Sequence, residues 1–545
     1  MSFSYEEYKI GVELRFSEIT SFDEMKKLVT EGISKNNLQV ENIYRVDISY
    51  CNMDTIMLGS LGTNYLKEVS FWCSNIKEFP TETFHNLPQL EKIAFLGDDI
   101  SELHPGVFNG LKNLKRLAFD GDTGINLSQK GLFVDLPQLE ELLIQDFKNV
   151  ERIEDYTFNS LSNLVTLDLS RSKIQAISPK AFENLNKLTT LVFYESDIPH
   201  LHETLLTNLH NLEYLDVNFN QLTILENNCF KNLKNLKSLS LRNNKIEELP
   251  TDIFKGLTVL DYLDLDCNMV KSLKSGIFKD LVSLTRLSIS YNQLENLESG
   301  CFAGLSKVEI LYLDSNNLNE TVFDFFENFT TLKSLCLNDN KIKTINAETL
   351  GKFPNLEILM LHGNQLETID ENTFRNNNKL KKLDLSRNNI SSLSDGVFHS
   401  LQFLENLNLS SNKVQSISST IFGGLFSLEK LFLENNEIQS IEENAFQNMS
   451  KLCEIWLNNN KLEIIKNNTF INLTDIITIN LEQNQISEVP LGNFERLKSL
   501  KDIYLHGNRL APEILERLGN KYNIRMESEE GRIRKCKPLV RKRRQ

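Results

Sequence analysis

Leucine and other apolar residues recur along the chain in the order L-x-x-L-x-L-x-x-N-x-L. The pattern defines 20 units, and all 60 residues at their first, fourth and sixth positions are apolar. Apolar and polar residues alternate in L-x-L, which predicts a short strand with one buried face. The units start at Ile43, Leu66, Leu90, Leu114, Leu139, Leu164, Leu188, Leu212, Leu236, Leu260, Leu284, Val308, Leu332, Leu356, Leu380, Leu404, Leu428, Leu452, Ile476 and Leu500.

The spacing of these units predicts how they associate. From Leu164 to Leu500 every interval is 24 residues, whereas the earlier intervals vary from 23 to 25. One unit is too small to bury its own apolar face, but a stack of units forms a continuous core and a parallel sheet. The sequence therefore predicts a solenoid, with about 4.8 Å of stacking for each strand.

The ninth position of the unit is asparagine in 13 consecutive units. Because a side-chain amide both donates and accepts, it can satisfy backbone groups in the turn after each strand. Upstream units mostly carry Ser, Cys or Asp at this position, and we expect these residues to replace the amide in part. The asparagines are Asn220, Asn244, Asn268, Asn292, Asn316, Asn340, Asn364, Asn388, Asn412, Asn436, Asn460, Asn484 and Asn508.

A column of phenylalanine is predicted on the wall opposite the strands. Its 16 members are nearly half of the 33 phenylalanines in the chain, and Leu206 and Leu350 fill two gaps. Each buried ring contributes about 1.5–3 kcal/mol to stability. The members are Phe84, Phe108, Phe133, Phe158, Phe182, Phe230, Phe254, Phe278, Phe302, Phe326, Phe374, Phe398, Phe422, Phe446, Phe470 and Phe494.

The pattern over residues 43 to 518 resembles the leucine-rich repeat family, in its typical 24-residue subclass with phenylalanine on the convex side. The resemblance implies an α/β solenoid, a curved horseshoe of about 20 units with a parallel concave β-sheet. It also implies a non-enzymatic, protein-binding role. Such roles are common among extracellular receptors, adhesion proteins and secreted immune factors such as the insect leucine-rich immune proteins.

Both ends of the stack need a cover for their apolar faces. Alternating apolar residues in 8–19, followed by a capping box at Ser21–Glu24, predict a strand and a helix. Pro512 begins a second short helical stretch. We therefore divide the chain into an N-terminal strand–helix cap (1–42), the repeat solenoid (43–510), a C-terminal helical cap (511–526) and a basic tail (527–545).

The charge of the chain is distributed unevenly. The formal net charge is −15, and residues 532 to 545 carry eight basic groups and no acid, so residues 1 to 531 carry −15 − 8 = −23. Such an acidic body argues against nucleic acid as the main ligand. The tail is either a solvated segment or a binder of an anionic surface such as heparin, membrane or nucleic acid. Its last basic run also resembles a nuclear-targeting or cleavage signal.

Motifs of catalysis and of nucleotide binding are absent from the sequence. It contains no G-x-x-x-x-G-K, G-x-G-x-x-G, H-E-x-x-H or G-x-S-x-G, and no insertion interrupts the units from 164 to 500. His200 and His202 form one H-x-H pair, which we interpret as surface histidines. We therefore expect no enzyme activity, no cofactor and no metal site.

Candidate binding residues lie on the strands, at positions that point away from the core. Small or acidic residues occupy these positions in the middle units, and large apolar residues follow. Contiguous apolar side chains facing water indicate an interface, although strand propensity alone also favours aromatic residues. The central patch comprises Tyr262, Tyr291, Ile310, Tyr312, Ile358 and Met360, and the second patch comprises Phe432, Trp456 and Tyr504.

The location of the protein is ambiguous from sequence. The chain shows no signal peptide, no run long enough to span a membrane, and no cysteine cluster at either end. Cys51 and Cys73 fall near the strand ends of adjacent units, either as a disulfide or as two thiols. We expect a secreted or cell-surface recognition, immune or adhesion factor that binds another protein through its concave face. An intracellular scaffold or adaptor and a truncated receptor ectodomain remain alternatives.

Overall fold

A strand follows every predicted start in the structure, a computed structural model. It describes residues 2–8, 11–36, 39–97, 100, 102–121, 127, 131–147, 152–327, 329–519 and 523–525. Two units divide the chain, Met1–Val308 and Glu309–Gln545. In both units, parallel strands stack in sequence order as an α/β solenoid, so the predicted fold class is confirmed.

The first unit begins with an antiparallel strand pair and continues as a parallel ladder. β1 pairs with β2, and then β2, β3, β5, β7, β9, β10, β12, β14, β15, β16, β17 and β19 follow one another in register. The remaining strands form small parallel sheets. The elements are β1 Ser2–Tyr8, β2 Gly11–Ser17, α1 Phe22–Asn36, β3 Ile43–Ser49, β4 Asn52–Thr55, β5 Glu68–Trp72, β6 Asn75–Phe79, β7 Lys92–Leu96, β8 Glu102–Leu103, β9 Arg116–Asp120, β10 Glu141–Gln145, β11 Arg152–Ile153, β12 Thr166–Asp168, β13 Ala176–Ile177, β14 Thr190–Val192, β15 Tyr214–Asp216, β16 Ser238–Ser240, β17 Tyr262–Asp264, β18 Ser272–Leu273, β19 Arg286–Ser288 and β20 Asn296–Leu297, with 3-10 helices at Val40–Asn42 and Leu58–Leu61.

The second unit is a parallel ladder of β21, β22, β23, β25, β27, β29, β31, β32, β33 and β34. Helical segments are short. The elements are β21 Ile310–Tyr312, a 3-10 helix Glu320–Phe325, β22 Ser334–Cys336, α2 Ala347–Gly351, β23 Ile358–Met360, β24 Thr368–Ile369, β25 Lys382–Asp384, β26 Ser392–Leu393, β27 Asn406–Asn408, β28 Ser416–Ile417, β29 Lys430–Phe432, β30 Ser440–Ile441, β31 Glu454–Trp456, β32 Thr478–Asn480, α3 Gly492–Glu495, β33 Asp502–Tyr504, α4 Pro512–Gly519 and β34 Asn523–Arg525.

The phenylalanine column is buried as predicted, with each of its members at most 4% exposed. In the first unit, Phe84 and Phe108 stack with ring centroids 5.9 Å apart. On the strand side of the same repeats, the centroids of Phe71 and Phe95 are 4.8 Å apart. In these two repeats the rings are therefore about 1 Å further apart at the phenylalanine wall than on the strand side.

The asparagine column bonds the backbone of successive repeats. Asn388 is typical: its Nδ2 donates to the carbonyls of Leu361, Leu385 and Ser386 at 2.9, 3.0 and 3.1 Å. Its Oδ1 accepts from the N–H of Leu366 at 3.0 Å. The amide therefore connects two successive repeats, which confirms the role predicted from its two-sided chemistry.

Smaller polar residues replace the asparagine upstream, also as predicted. The Ser74 hydroxyl accepts from the N–H of Cys51 at 3.1 Å and faces the carbonyl of Trp72 at 3.3 Å. The Ser196 hydroxyl donates to the carbonyl of Leu169 at 2.8 Å. A hydroxyl has one hydrogen to donate where the amide has two, so these residues reproduce only part of the network.

The predicted strand and both predicted helices are present near the ends of the chain, whereas β1, which pairs with β2, was not predicted. The amphipathic strand is β2, and α1 begins after Ser21, whose hydroxyl accepts from the N–H of Glu24 at 3.2 Å. The C-terminal helix is α4, in which Leu518 is buried. A further strand, β34, follows α4 and pairs with β33, which the sequence did not predict. The division into caps, solenoid and tail stays a prediction, and residues 526–545 lie outside the described residues.

The structure distinguishes between the two states that the sequence allowed for Cys51 and Cys73, a disulfide or two thiols. No disulfide joins Cys51, which is buried, to Cys73, which is exposed. The thiol of Cys51 instead accepts from the N–H of Ile19 at 3.3 Å. In the described part of the chain all cysteines are thiols, and Cys536 lies outside that part.

Candidate binding surface

The third, fifth and seventh positions of each unit form the outer face of the strand wall. Side chains alternate between the two faces of a strand, so these positions point away from the core when the fourth and sixth are buried. In the unit from Leu332, for example, Leu335 and Leu337 are fully buried. The strand wall is where the predicted binding residues lie.

The central patch is divided between the two units. Tyr262 and Tyr291 belong to the first. The Tyr262 hydroxyl donates to Asp264 at 2.8 Å, and the guanidinium of Arg286 lies 5.7 Å from the centroid of its ring. Tyr291 is 59% exposed. The other four members, Ile310, Tyr312, Ile358 and Met360, lie in the second unit.

Those four residues enclose a trough in the second unit. The strand register places Ser334 between two isoleucines and Cys336 between Tyr312 and Met360. Ser334 and Cys336 are 8% and 7% exposed, whereas the four large side chains beside them are partly exposed. Three neighbouring strands therefore present two apolar rims and a floor of small residues. The trough comprises Ile310, Tyr312, Ser334, Cys336, Ile358 and Met360.

The floor of the trough is uncharged. Burial raises the pKa of the Cys336 thiol to about 12, with a smaller contribution from the carboxylate of Asp314. The sulfur is therefore a neutral thiol at physiological pH and behaves as a small apolar group rather than as a nucleophile. The thiol of Cys336 therefore adds to the apolar surface of the trough.

The second patch is only partly as predicted. Phe432 and Trp456 pair in register and are partly exposed. The Trp456 indole N–H donates to Glu454 at 3.2 Å, and its ring stacks on Tyr504 at 6.3 Å. Tyr504 itself is only 5% exposed. The prediction that Tyr504 is exposed for binding is therefore wrong. Its buried ring packs against the ring of Trp456 instead.

An acidic row lies on the strand wall of the first unit. Burial raises the pKa of Asp216, with added repulsion from Asp168 and Asp264. Burial and the neighbouring Asp264 raise the pKa of Asp266 to about 6. The Asp266 carboxylate accepts from the Ser288 hydroxyl and from the N–H of Ser290, both at 2.6 Å.

Asparagine can perform part of the bonding of Asp266, whose second oxygen also accepts from the guanidinium of Arg242 at 2.7 Å. Asn218 holds the equivalent position two repeats earlier, where its Oδ1 accepts from the Ser240 hydroxyl at 2.7 Å and from the N–H of Arg242 at 2.6 Å. The chain thus contains its own neutral counterpart of the buried acid. A substitution of Asp266 by asparagine removes the titrating charge and the ion pair with Arg242, and it keeps the bonds to Ser288 and Ser290.

We expect the stability of the first unit to rise by about 2–3 kcal/mol as Asp266 is protonated. The carboxyl titrates near 6 in the folded chain and near 3.8 as a free group, so the folded state binds the proton more tightly. Stability attributable to this group therefore increases as pH falls from 7 to 4. Urea unfolding should show the increment in the parent and not in Asp266→Asn, and identical pH profiles for the two would contradict the assignment.

Aromatic residues missed by the sequence analysis lie in the first unit. Trp72 ends β5 and is 43% exposed, and Tyr50, which follows β3, is 65% exposed. The N–H of Tyr50 donates to the carbonyl of Trp72 at 2.8 Å, so the two residues are neighbours. They hold the seventh and eighth positions of their repeats, whereas most of the predicted binding residues hold the third or the fifth.

Other chemistry is sparse on the described surface. No group of three or more His, Cys, Asp or Glu side chains in the described residues could hold a metal ion. His200 instead faces Glu226 at 2.9 Å, and His202 faces Thr204 at the same distance. Among the described helices, none combines the length and apolar character that crossing a bilayer requires.

Sequence comparison identifies the repeat. A family model described as "Leucine rich repeat" matches residues 137–193, 195–246, 234–273, 258–318, 354–414, 402–462 and 451–510, more than half of the chain. A second model, "Leucine Rich repeats (2 copies)", matches residues 330–374. The chain belongs to the leucine-rich repeat family. No curated protein matches the sequence.

Solved leucine-rich repeat structures share the fold. The ectodomain of the receptor kinase GASSHO1/SCHENGEN3 from Arabidopsis thaliana, in complex with Casparian strip integrity factor 2, is 19% identical with a TM-score of 0.55. The match covers 94% of this chain and 63% of that one. The Drosophila Toll–Spatzle complex is 16% identical with a TM-score of 0.54, over 94% of this chain and 90% of that one. Leucine-rich repeat families are typically protein-interaction modules.

Proposed function

We propose that this leucine-rich repeat protein is a non-enzymatic recognition protein that binds another protein through its strand wall. The observation that carries the proposal is the trough, in which four large apolar side chains stand partly exposed around buried Ser334 and Cys336. An apolar surface of this kind is costly to leave in water and is typical of interfaces. Its neutral floor supports contact rather than catalysis.

The shape of the trough favours a protein side chain as its occupant. Tyr312 and Met360 are two strand spacings apart, roughly 10 Å, with Cys336 between them. A gap of that width accepts one aliphatic or aromatic side chain between the rims. Tyrosine is a frequent anchor of such interfaces, and methionine adapts its shape to different partners.

The proposed location is outside the cell or at its surface. Both structural neighbours described above are complexes, one of Toll with Spatzle and one of a receptor-kinase ectodomain with Casparian strip integrity factor 2. Those facts support a secreted or cell-surface recognition, immune or adhesion factor. An intracellular scaffold is the second candidate, favoured by the described cysteines, which are all thiols. A truncated receptor ectodomain is the third.

We expect the double substitution Tyr312→Ala and Met360→Ala to lower partner capture at least tenfold without unfolding the chain. Both side chains contact water in the folded state, so their loss should remove binding area and little core packing. Immobilised protein and quantitative mass spectrometry of the captured proteins give the measurement.

The matched control for this experiment removes equally large apolar side chains from another surface of the same unit. Phe403 and Phe426 are 61% and 49% exposed and precede the strands rather than lying on them. Phe403→Ala with Phe426→Ala should leave the captured set unchanged. Equal capture by the trough variant and the parent would refute the proposal.

A further inference from the structure

The strands of the first five repeats are longer than those that follow. β5, β7, β9 and β10 have five residues each and β3 has seven, whereas the strands of the main ladder from β12 to β33 have three. In these first repeats the third, fifth and seventh positions therefore all lie within the strand. The strand wall is wider here than elsewhere in the chain.

A groove runs across these long strands, perpendicular to their direction. Its floor is the fifth position, where the register places Ala94 between Ser70 and Ala118. Ser70 and Ala118 are 9% and 5% exposed, and Ala94 is partly exposed. The third and seventh positions carry larger side chains and form two rims. Four residues separate the rims along each strand, which corresponds to roughly 13 Å.

The rim at the seventh position is largely apolar. Trp72, which is 43% exposed, lies in register with Leu96, which is partly exposed. Tyr50, the neighbour of Trp72, extends the same surface. The rim ends at Asp120, whose carboxylate pairs with Arg171 at 3.1 Å. Contiguous apolar side chains that face water are typical of an interface.

The rim at the third position is charged, with two cations side by side. Lys92 lies in register with Arg116. Each is bonded to an acid on its far side, Lys92 to Glu68 at 2.8 Å and Arg116 to Glu141 at 2.6 Å. Both cationic side chains are about half exposed, and like charges directly opposite each other on adjacent strands are destabilising. An acidic group placed between them would attract both.

An α-helix fits this groove better than an extended strand does. A helix with its side chains is about 10–12 Å wide, close to the separation of the rims, whereas an added strand occupies only about 4.8 Å. The small side chains of the floor allow the helix to approach the sheet. From β3 to β10 the five strands span about 19 Å, the length of about 13 helical residues.

We propose that this groove, formed by the third, fifth and seventh positions of β5, β7 and β9, binds an amphipathic α-helix of another protein. The apolar stripe of the helix packs on Trp72, Leu96 and Ala94, and an acidic residue beside the stripe lies between Lys92 and Arg116. Such a partner carries apolar residues at i, i+3, i+4 and i+7 with Asp or Glu along one edge. The groove belongs to the first unit and the trough to the second, so either proposal can fail without the other.

Peptide display on the full-length chain tests the chemistry of the occupant. A phage library of random 16-residue peptides is the probe. We expect selected peptides with the helical spacing and the acidic edge, which bind Ala94→Gln at least tenfold more weakly than the parent. Val192→Gln makes a matched change at the partly exposed fifth position of β14 and should leave their affinity within twofold. Selection of alternating, strand-like peptides, or of none that distinguishes the parent from Ala94→Gln, would overturn the proposal.

Fluorescence places the bound peptide on the apolar rim. The chain has two tryptophans, so Trp456→Phe leaves Trp72 as the sole emitter. A selected peptide should shift the emission of Trp72 to shorter wavelength and gain helical circular dichroism at the same concentrations. We expect micromolar affinity, because the groove is smaller than a standard protein interface. Saturation with peptide that leaves the emission of Trp72 unchanged would contradict the proposed position.

The charged rim has its own matched test. Lys92→Gln with Arg116→Gln should weaken binding of the selected peptides at least fivefold and should reduce the dependence of their affinity on NaCl. Lys382→Gln with Lys430→Gln makes the same change at two third positions of the second unit and should alter neither quantity. Equal affinity for the groove variant and this control would show that the acidic edge is not recognised.

Discussion

Replacing Phe422 by alanine is expected to lower the free energy of unfolding of the second unit by about 3–5 kcal/mol. The Phe422 side chain is 1% exposed and stacks between Phe398 and Phe446, at centroid distances of 6.1 and 5.9 Å. Alanine removes the ring and leaves a cavity between two repeats that contact each other along the whole turn. Because a solenoid is stabilised mainly by contacts between nearest neighbours, no distant element can compensate.

Tryptophan fluorescence makes the measurement specific to the unit. In a Trp72→Phe background, Trp456 lies two repeats after the substitution and reports urea unfolding of the second unit alone. Phe422→Leu is the matched control, because the chain itself carries Leu206 and Leu350 in this column, both buried. Leucine should cost no more than about 1.5 kcal/mol. Equal losses for the two variants would mean that the ring stack does not stabilise the phenylalanine wall.

Repetition is the reason that the fold could be predicted. Strand positions, the asparagine bonds and the buried phenylalanines recur at a constant spacing. Each repeat therefore has the same local interactions, and a wrong assignment in one repeat does not change the assignment of the next. Ser74 and Ser196 show that even the departures from the pattern follow from side-chain chemistry, since a hydroxyl satisfies part of what the amide does.

The exposure of individual side chains on the strand wall was harder to predict, because it depends on residues of adjacent strands that the repeat pattern does not specify. Tyr504 occupies an outward position, yet it is buried. The trough depends on the small size of Ser334 and Cys336 as much as on the large residues beside them. Trp72 holds the seventh position of its repeat, two residues after the fifth position that most of the predicted aromatic residues hold. These features require the register of adjacent strands, which only the structure supplies.

Replacing Asn388 by alanine is expected to destabilise the second unit by about 3–5 kcal/mol, as much as the loss of a phenylalanine ring. Alanine leaves the carbonyls of Leu361 and Leu385 and the N–H of Leu366 without the partner they have now. Asn388 is 7% exposed, so water cannot readily take its place. The shift should appear in urea unfolding followed by Trp456 fluorescence in the Trp72→Phe background.

Two further variants at this position separate hydrogen bonding from packing. Asn388→Ser should recover part of the loss, because serine performs part of this role at Ser74 and Ser196. Asn388→Asp should be at least as damaging as alanine at pH 7, although it nearly preserves the volume, because a carboxylate would face carbonyl oxygens that need a donor. If aspartate were tolerated as well as asparagine, the column would act by shape, and the solenoid would owe its stability to the apolar core alone.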